Sequence, residues 1–291
     1  MEPESGRATT LTHPPLVPRH PPTLAATALR IFDLSLGQML WSRRSIFLAL
    51  VVLGPIGLAA AIRLATELNL RPPRGPRPGG PVLFGLMMWL LYIRFIVPVL
   101  GVFYGTALIA DEVEDRTITY LFIRPIQRAS VLFGKYLAYL VCTSLLVLPS
   151  VVVVYLLVVP MNGGLLGALF PSLVADLGML LVGLASYGAV FAWVGARLKR
   201  PLVMGLIFAF GWEPAILLFP GYLKRLTVAY YLQALVPHAM PPDDTAASIL
   251  FRVVSEVPPV TRSLTGLTLI TLAALWLAGR AVRTREYVLD Q

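Results

Sequence analysis

The chain is poor in the side chains that covalent chemistry needs. It has one cysteine and three histidines in 291 residues. Cys142 has no partner for an internal disulfide, so it says nothing of redox compartment, and His13, His20 and His238 are widely scattered. No GxxxxGK[ST] loop, HExxH, paired CxxC or nucleophile elbow occurs; "FGKY" at 133–136 lacks the rest of a phosphate-binding loop. His238 and Met240 sit close together, but two ligands make a poor metal site. The expectation is a chain with no catalytic site and no cofactor of its own. Charge is scarce as well: 13% of residues are Asp, Glu, Lys or Arg, against roughly a quarter in soluble domains. The net charge of +9 comes without aromatics interleaved among the basic residues, so no nucleic-acid partner is expected.

What fills the chain is apolar: 57% of it is hydrophobic. A helix needs about 20 predominantly apolar residues to cross roughly 30 Å of hydrocarbon. Six runs answer to that description, at 46–62, 82–110, 136–159, 172–196, 202–220 and 264–279, separated by polar breaks rich in Pro and Gly. A soluble core supplies one or two such runs, not six. With an even number of spans both termini share a side. Placing them in the cytoplasm gives 15 Lys and Arg inside and eight outside, with Arg94 left within a span. The remaining positive charge faces anionic membrane lipid.

The first 22 residues are polar and proline-rich and read as a disordered cytoplasmic tail. Residues 23–44 carry a helical period: Leu24, Ala28, Ile31, Phe32, Met39 and Leu40 fall near one face, with Arg30, Asp33 and Gln38 opposite. Such a helix lies in the interface, as a plain anchor or as a lever into the first span. Residues 45–291 then hold the six spans. The run at 82–110 would extend about 43 Å as a helix, so it either tilts or bends near Pro98. The outer loop 221–261 holds "LTVAYYLQALVP" and "AASILFRVVSEVP", both readable as short helices at the outer surface.

Three ionisable groups stand inside apolar runs, where they are expensive: Arg94, Asp176 and Glu213. All three are expected in the outer half of the membrane. Depth alone allows an Arg94–Glu213 pair, as a fixed tie, as a gate that opens when the pair breaks, or in contact with substrate. "GVFYG" at 101–105 permits close helix approach, with packing inside the chain preferred to a dimer contact.

One cytoplasmic stretch differs from everything else. "IADEVEDRTITYLFIRPIQRASVLFGKYLAYL", 109–140, carries four carboxylates and four basic groups between two spans. Four carboxylates at a helix C-terminus oppose the helix dipole, so the second helix is expected to run on into the cytoplasm. Pro125 disfavours helix at Arg124, and Ser130 can cap the helix that turns back.

This stretch, with Asp111, Glu112, Arg116, Thr117, Leu121, Pro125, Ile126, Arg128, Lys135 and Tyr136, resembles the first intracellular loop of ABC-2 type permeases. The similarity is strongest to the branch linked to multicopper-enzyme maturation. "RLKRPLVMGLIFAFGWE" at 197–213 is similar to the fourth-to-fifth span junction of that branch. The resemblance implies an all-α integral membrane protein of six transmembrane helices in the cell inner membrane. It further implies a connecting helix over 23–44 and a coupling loop over 111–135, in which Glu112, Arg116, Thr117, Leu121, Pro125, Arg128 and Lys135 meet an ATPase. Implied partners are two copies of a cytoplasmic ABC ATPase, which bind the ATP and Mg, and a second permease copy, identical in sequence; an extracytoplasmic accessory protein is a further one. The function so implied is ATP-driven export. The alternatives are a non-transporting mechanotransmitter or anchor, and an ion-coupled secondary transporter using the intramembrane charges. The apolar spans suit lipidic, amphipathic or peptide cargo better than a small hydrophilic solute.

Overall fold

The computed structural model describes residues 24–41, 43–68, 79–109, 128–161, 164–218, 222–235 and 258–284. Among these every regular element is helical. Helix α1 is Leu24–Leu40 and α2 is Arg43–Glu67. Helix α3 is Gly80–Ile109, α4 is Arg128–Val158 and α5 is Leu166–Arg197. Helix α6 is Pro201–Ile216, α7 is the short Val228–Ala234, and α8 is Val260–Thr284. Five of these, α2, α3, α4, α5 and α8, are long and apolar enough to cross a membrane, and α6 is a shorter apolar helix. Each of the six expected runs is therefore helical over its described residues. The tail at 1–22, most of the loop at 111–135 and the second outer helix expected within 221–261 lie outside the described residues.

The helices begin where the sequence punctuates. Pro81 stands in the first turn of α3 and Pro201 in that of α6, where a missing N–H costs nothing and φ is already helical. Within α3 the helix runs on through Pro98 and widens just before it: Met88–Ile96 is π-helical, and the N–H of Val97 reaches back to the Tyr92 carbonyl. A second wide stretch, Gly101–Gly105, follows. Helix α6 repeats the device, with Phe208–Trp212 π-helical just before Pro214 and the N–H of Glu213 bonded to the Phe208 carbonyl. Proline removes one ladder bond and presses on the preceding turn, and a wider turn accommodates both.

Helices α4 and α5 form the centre. The first helix, α1, packs along α4; α8 packs along α5; and α2, α3 and α5 all touch α4. Since lipid tails are as apolar as leucine, close fit and interhelical hydrogen bonds must hold such a bundle. Tyrosine supplies the bonds. Tyr92 on α3 shares a 2.7 Å bond with Ser150 on α4, and Ser150 in turn donates to the Val52 carbonyl of α2 at 3.1 Å. Tyr136 and Tyr139 on α4 donate to the Ala185 and Leu184 carbonyls of α5, each at 2.8 Å. Tyr104 donates to Ser45 at 2.7 Å, and Ser45 donates to the Met39 carbonyl, joining α3, α2 and α1.

Small residues supply the fit. The GVFYG stretch packs inside the chain: a Cβ at Gly101 would stand 2.8 Å from Tyr187 Cβ, and one at Gly105 would stand 2.9 Å from Phe191 Cβ, both on α5. Helix α7 packs into the bundle. Its Leu232 is fully buried, against the bare backbone of Gly183 on α5 and beside Val97 on α3, and its Tyr231 ring covers Gly266 on α8. Missing side chains on two other helices leave the notches it fills.

Candidate functional site

The intramembrane charges concentrate chemistry in an otherwise apolar bundle. Glu213 begins the last turns of α6, directly after the wide stretch, and is 1% exposed. A carboxylate taken out of water needs donors on both oxygens. One oxygen, Oε2, accepts from the hydroxyl of Tyr187 on α5, itself fully buried. The other, Oε1, accepts from the backbone N–H groups of Val228 at 3.0 Å and Ala229 at 3.4 Å. These are the opening residues of α7, preceded by Thr227 in an extended conformation with no side-chain cap. Glu213 therefore caps α7 from another helix, placing negative charge at the positive end of its dipole.

Arg94 approaches the same cluster from α3. Its charge is felt at both Glu213 and Tyr187, but no direct ion pair joins Arg94 to Glu213. The guanidinium lies instead over the Trp89 ring, 5.6 Å from its centroid, an attraction between cation and ring face. The two wide stretches face each other here: Phe95 on α3 and Phe210 on α6 stand 6.0 Å apart, ring to ring. Asp176 is fully buried in α5, eleven residues or about 16 Å along the helix from Tyr187, and so belongs to another level of the bundle.

Of the three charges expected inside the membrane, Arg94 and Glu213 share one neighbourhood, and Asp176 stands about 16 Å along α5 from Tyr187. Sequence reasoning missed Tyr187. The signal was available: a tyrosine in the middle of an apolar span must find a partner for its hydroxyl. It also missed the α7 amides, which no side-chain pattern announces.

At the other end, Lys135 of α4 donates to the Leu108 carbonyl of α3 at 3.1 Å. This fastens the end of α3 to the start of α4 at the base of the charged stretch. Arg128 opens α4, and Glu112, Arg116, Thr117, Leu121 and Pro125 lie outside the described residues.

Comparison with protein families then decides what this bundle is. The family described as ABC-2 family transporter protein matches residues 12–229. The chain belongs to the ABC-2 transporter family. Membership makes it a multi-pass membrane component of an ABC transporter, a partner of an ABC ATPase subunit, and placement in the inner membrane fits a bacterial permease of this kind. No curated protein matches this ABC-2 permease significantly. The match takes in α1 to α6, Glu213 and the capped start of α7, while α8, which packs along α5 and α7, lies beyond it.

Proposed function

We propose that this chain is the permease half of an ATP-binding cassette exporter, acting as a homodimer with two copies of a separate ATPase that carries the ATP, the Mg and the hydrolytic residues. The family match supports the membrane role. The observation that supports the coupling route is the Lys135 to Leu108 bond, which ties two spans together at the root of residues 110–127. ATP can shift the permease between two states only through an element that touches the ATPase and moves with the spans. A charged loop rooted in two fastened helices meets that need. Arg116, Arg124 and Arg128 supply charge-assisted hydrogen bonds to the ATPase, with Ile118, Leu121 and Phe122 as the apolar anchor.

The test is recovery of the tagged chain from mildly solubilised native membranes, with mass spectrometry and ATPase assay of what copurifies, beside Leu121→Asp and Arg128→Glu variants. A cassette ATPase should accompany the parent and be lost from both variants, which must themselves remain monodisperse. Absence of any ATPase from the parent, under conditions that keep other membrane complexes whole, overturns the reading.

A further inference from the structure

Arg94 is the one charge of the intramembrane cluster that is not enclosed. Glu213 is sealed inside, both its oxygens supplied with donors, whereas Arg94 is only partly buried. Beyond the Trp89 ring it has no hydrogen-bond or ion-pair partner among the described residues. An arginine carries five N–H donors in a planar fork and stays charged, so in an apolar setting it demands an acceptor.

Depth limits what that acceptor can be. The Thr106 carbonyl meets Gly195, two residues from the basic stretch 197–200 that ends α5. Twelve residues, about 18 Å, separate Thr106 from Arg94, more than half of a hydrocarbon layer roughly 30 Å thick. Among the described residues a second copy of this chain has no exposed acid at that level: Asp176 and Glu213 are 0% and 1% exposed within their own bundle. Exposed aromatic rings stand close by: Phe95 on α3 meets Phe210 on α6, and Trp212 is exposed on α6 as well. A cationic fork set among exposed aromatic rings matches a molecule with one anionic end and an apolar body.

We infer that the α3–α6 face binds an amphiphile with an anionic head group, its head on the Arg94 guanidinium and its chain along the aromatic seam. This rests on the transporter reading and names the class of its cargo. The Glu213 carboxylate is held by Tyr187 and the α7 amides and makes no direct bond to Arg94, which leaves the guanidinium fork for the head.

The test uses the purified chain in phosphatidylcholine nanodiscs with radiolabelled oleate as probe and unlabelled monoolein, of the same chain length but uncharged, as competitor, corrected for retention by empty discs. Oleate should be retained and only weakly displaced by monoolein. Arg94→Gln should weaken retention at least about tenfold, the loss expected for a charge-assisted hydrogen bond, and Arg94→Lys should restore part of it. Thermal melting of each variant shows whether it is folded. Unchanged retention in a folded Arg94→Gln, displacement by monoolein as readily as by oleate, or no retention by the parent each overturns the inference. So does a fall in particle mass in Arg94→Gln, which would assign Arg94 to a contact between copies. Because no ATPase takes part, failure here leaves the copurification result standing, and failure there leaves this one standing.

Discussion

Replacing Glu213 with alanine removes the acceptor that joins three helices, and its cost can be worked from the donors left behind. The Tyr187 hydroxyl and the Val228 amide lose good bonds, and the Ala229 amide loses a longer one at 3.4 Å. A buried donor without a partner costs about 1–3 kcal/mol, so the sum, allowing for rotation of the tyrosine and the weak third bond, is about 3–5 kcal/mol. Glutamine behaves differently. Its carbonyl oxygen still accepts from both α7 amides, and its NH2 donates to the Tyr187 oxygen, so the expected loss is about 1 kcal/mol. With roughly 2–4 °C per kcal/mol for a chain of this size, alanine should lower the melting temperature in detergent by about 10 °C and glutamine by about 3 °C. Size-exclusion chromatography after stepwise heating measures both. Hydrogen exchange should quicken at Val228 and Ala229 in the alanine variant and stay slow in the glutamine one. An alanine variant that melts within a degree of the parent, or a glutamine variant worse than alanine, refutes the capping role.

Two further perturbations follow from the packing. A Cβ at Gly188 would fall 2.0 Å from Cε1 of the fully buried Tyr139, so Gly188→Ala should lose about 2–4 kcal/mol through overpacking and the broken bond to Leu184; Gly178→Ala, with open space around it, should melt as the parent does. Ser150→Ala strips both the Tyr92 partner and the tie to Val52, with an expected loss of about 1–2 kcal/mol by the same melting assay, and Tyr92→Phe on the Ser150→Ala background should add little.

The spans were legible because a run of about 20 apolar residues is a strong signal that tertiary context rarely overrides. The location of costly charges was legible for the same reason: Arg94 and Glu213 stand out against oil. Hydrogen-bond register was not. Apolar patterning is the same for an α turn and a π turn, so the long second run could be read as tilted or as bent near Pro98, with no sign of the widened turn before it. Nor could the sequence pair Glu213 with its partners, since two of them are backbone amides. The burial of α7 depends on Gly183 and Gly266, far off in the chain, and no local property of 228–234 announces it.

The widened turns of α3 have a mechanical side. Met88–Ile96 and Gly101–Gly105 each hold slack in their hydrogen bonding, and the four-residue segment Val97–Leu100 lies between them. Passing one residue's worth of slack from one stretch to the other turns that segment by about 100° and advances it by about 1.5 Å, while the ends of the helix stay where they are. A push arriving at Leu108 can thus be absorbed as rotation, like a thread turning in its nut. The helix that looks like the stiffest strut in the bundle is geared to twist.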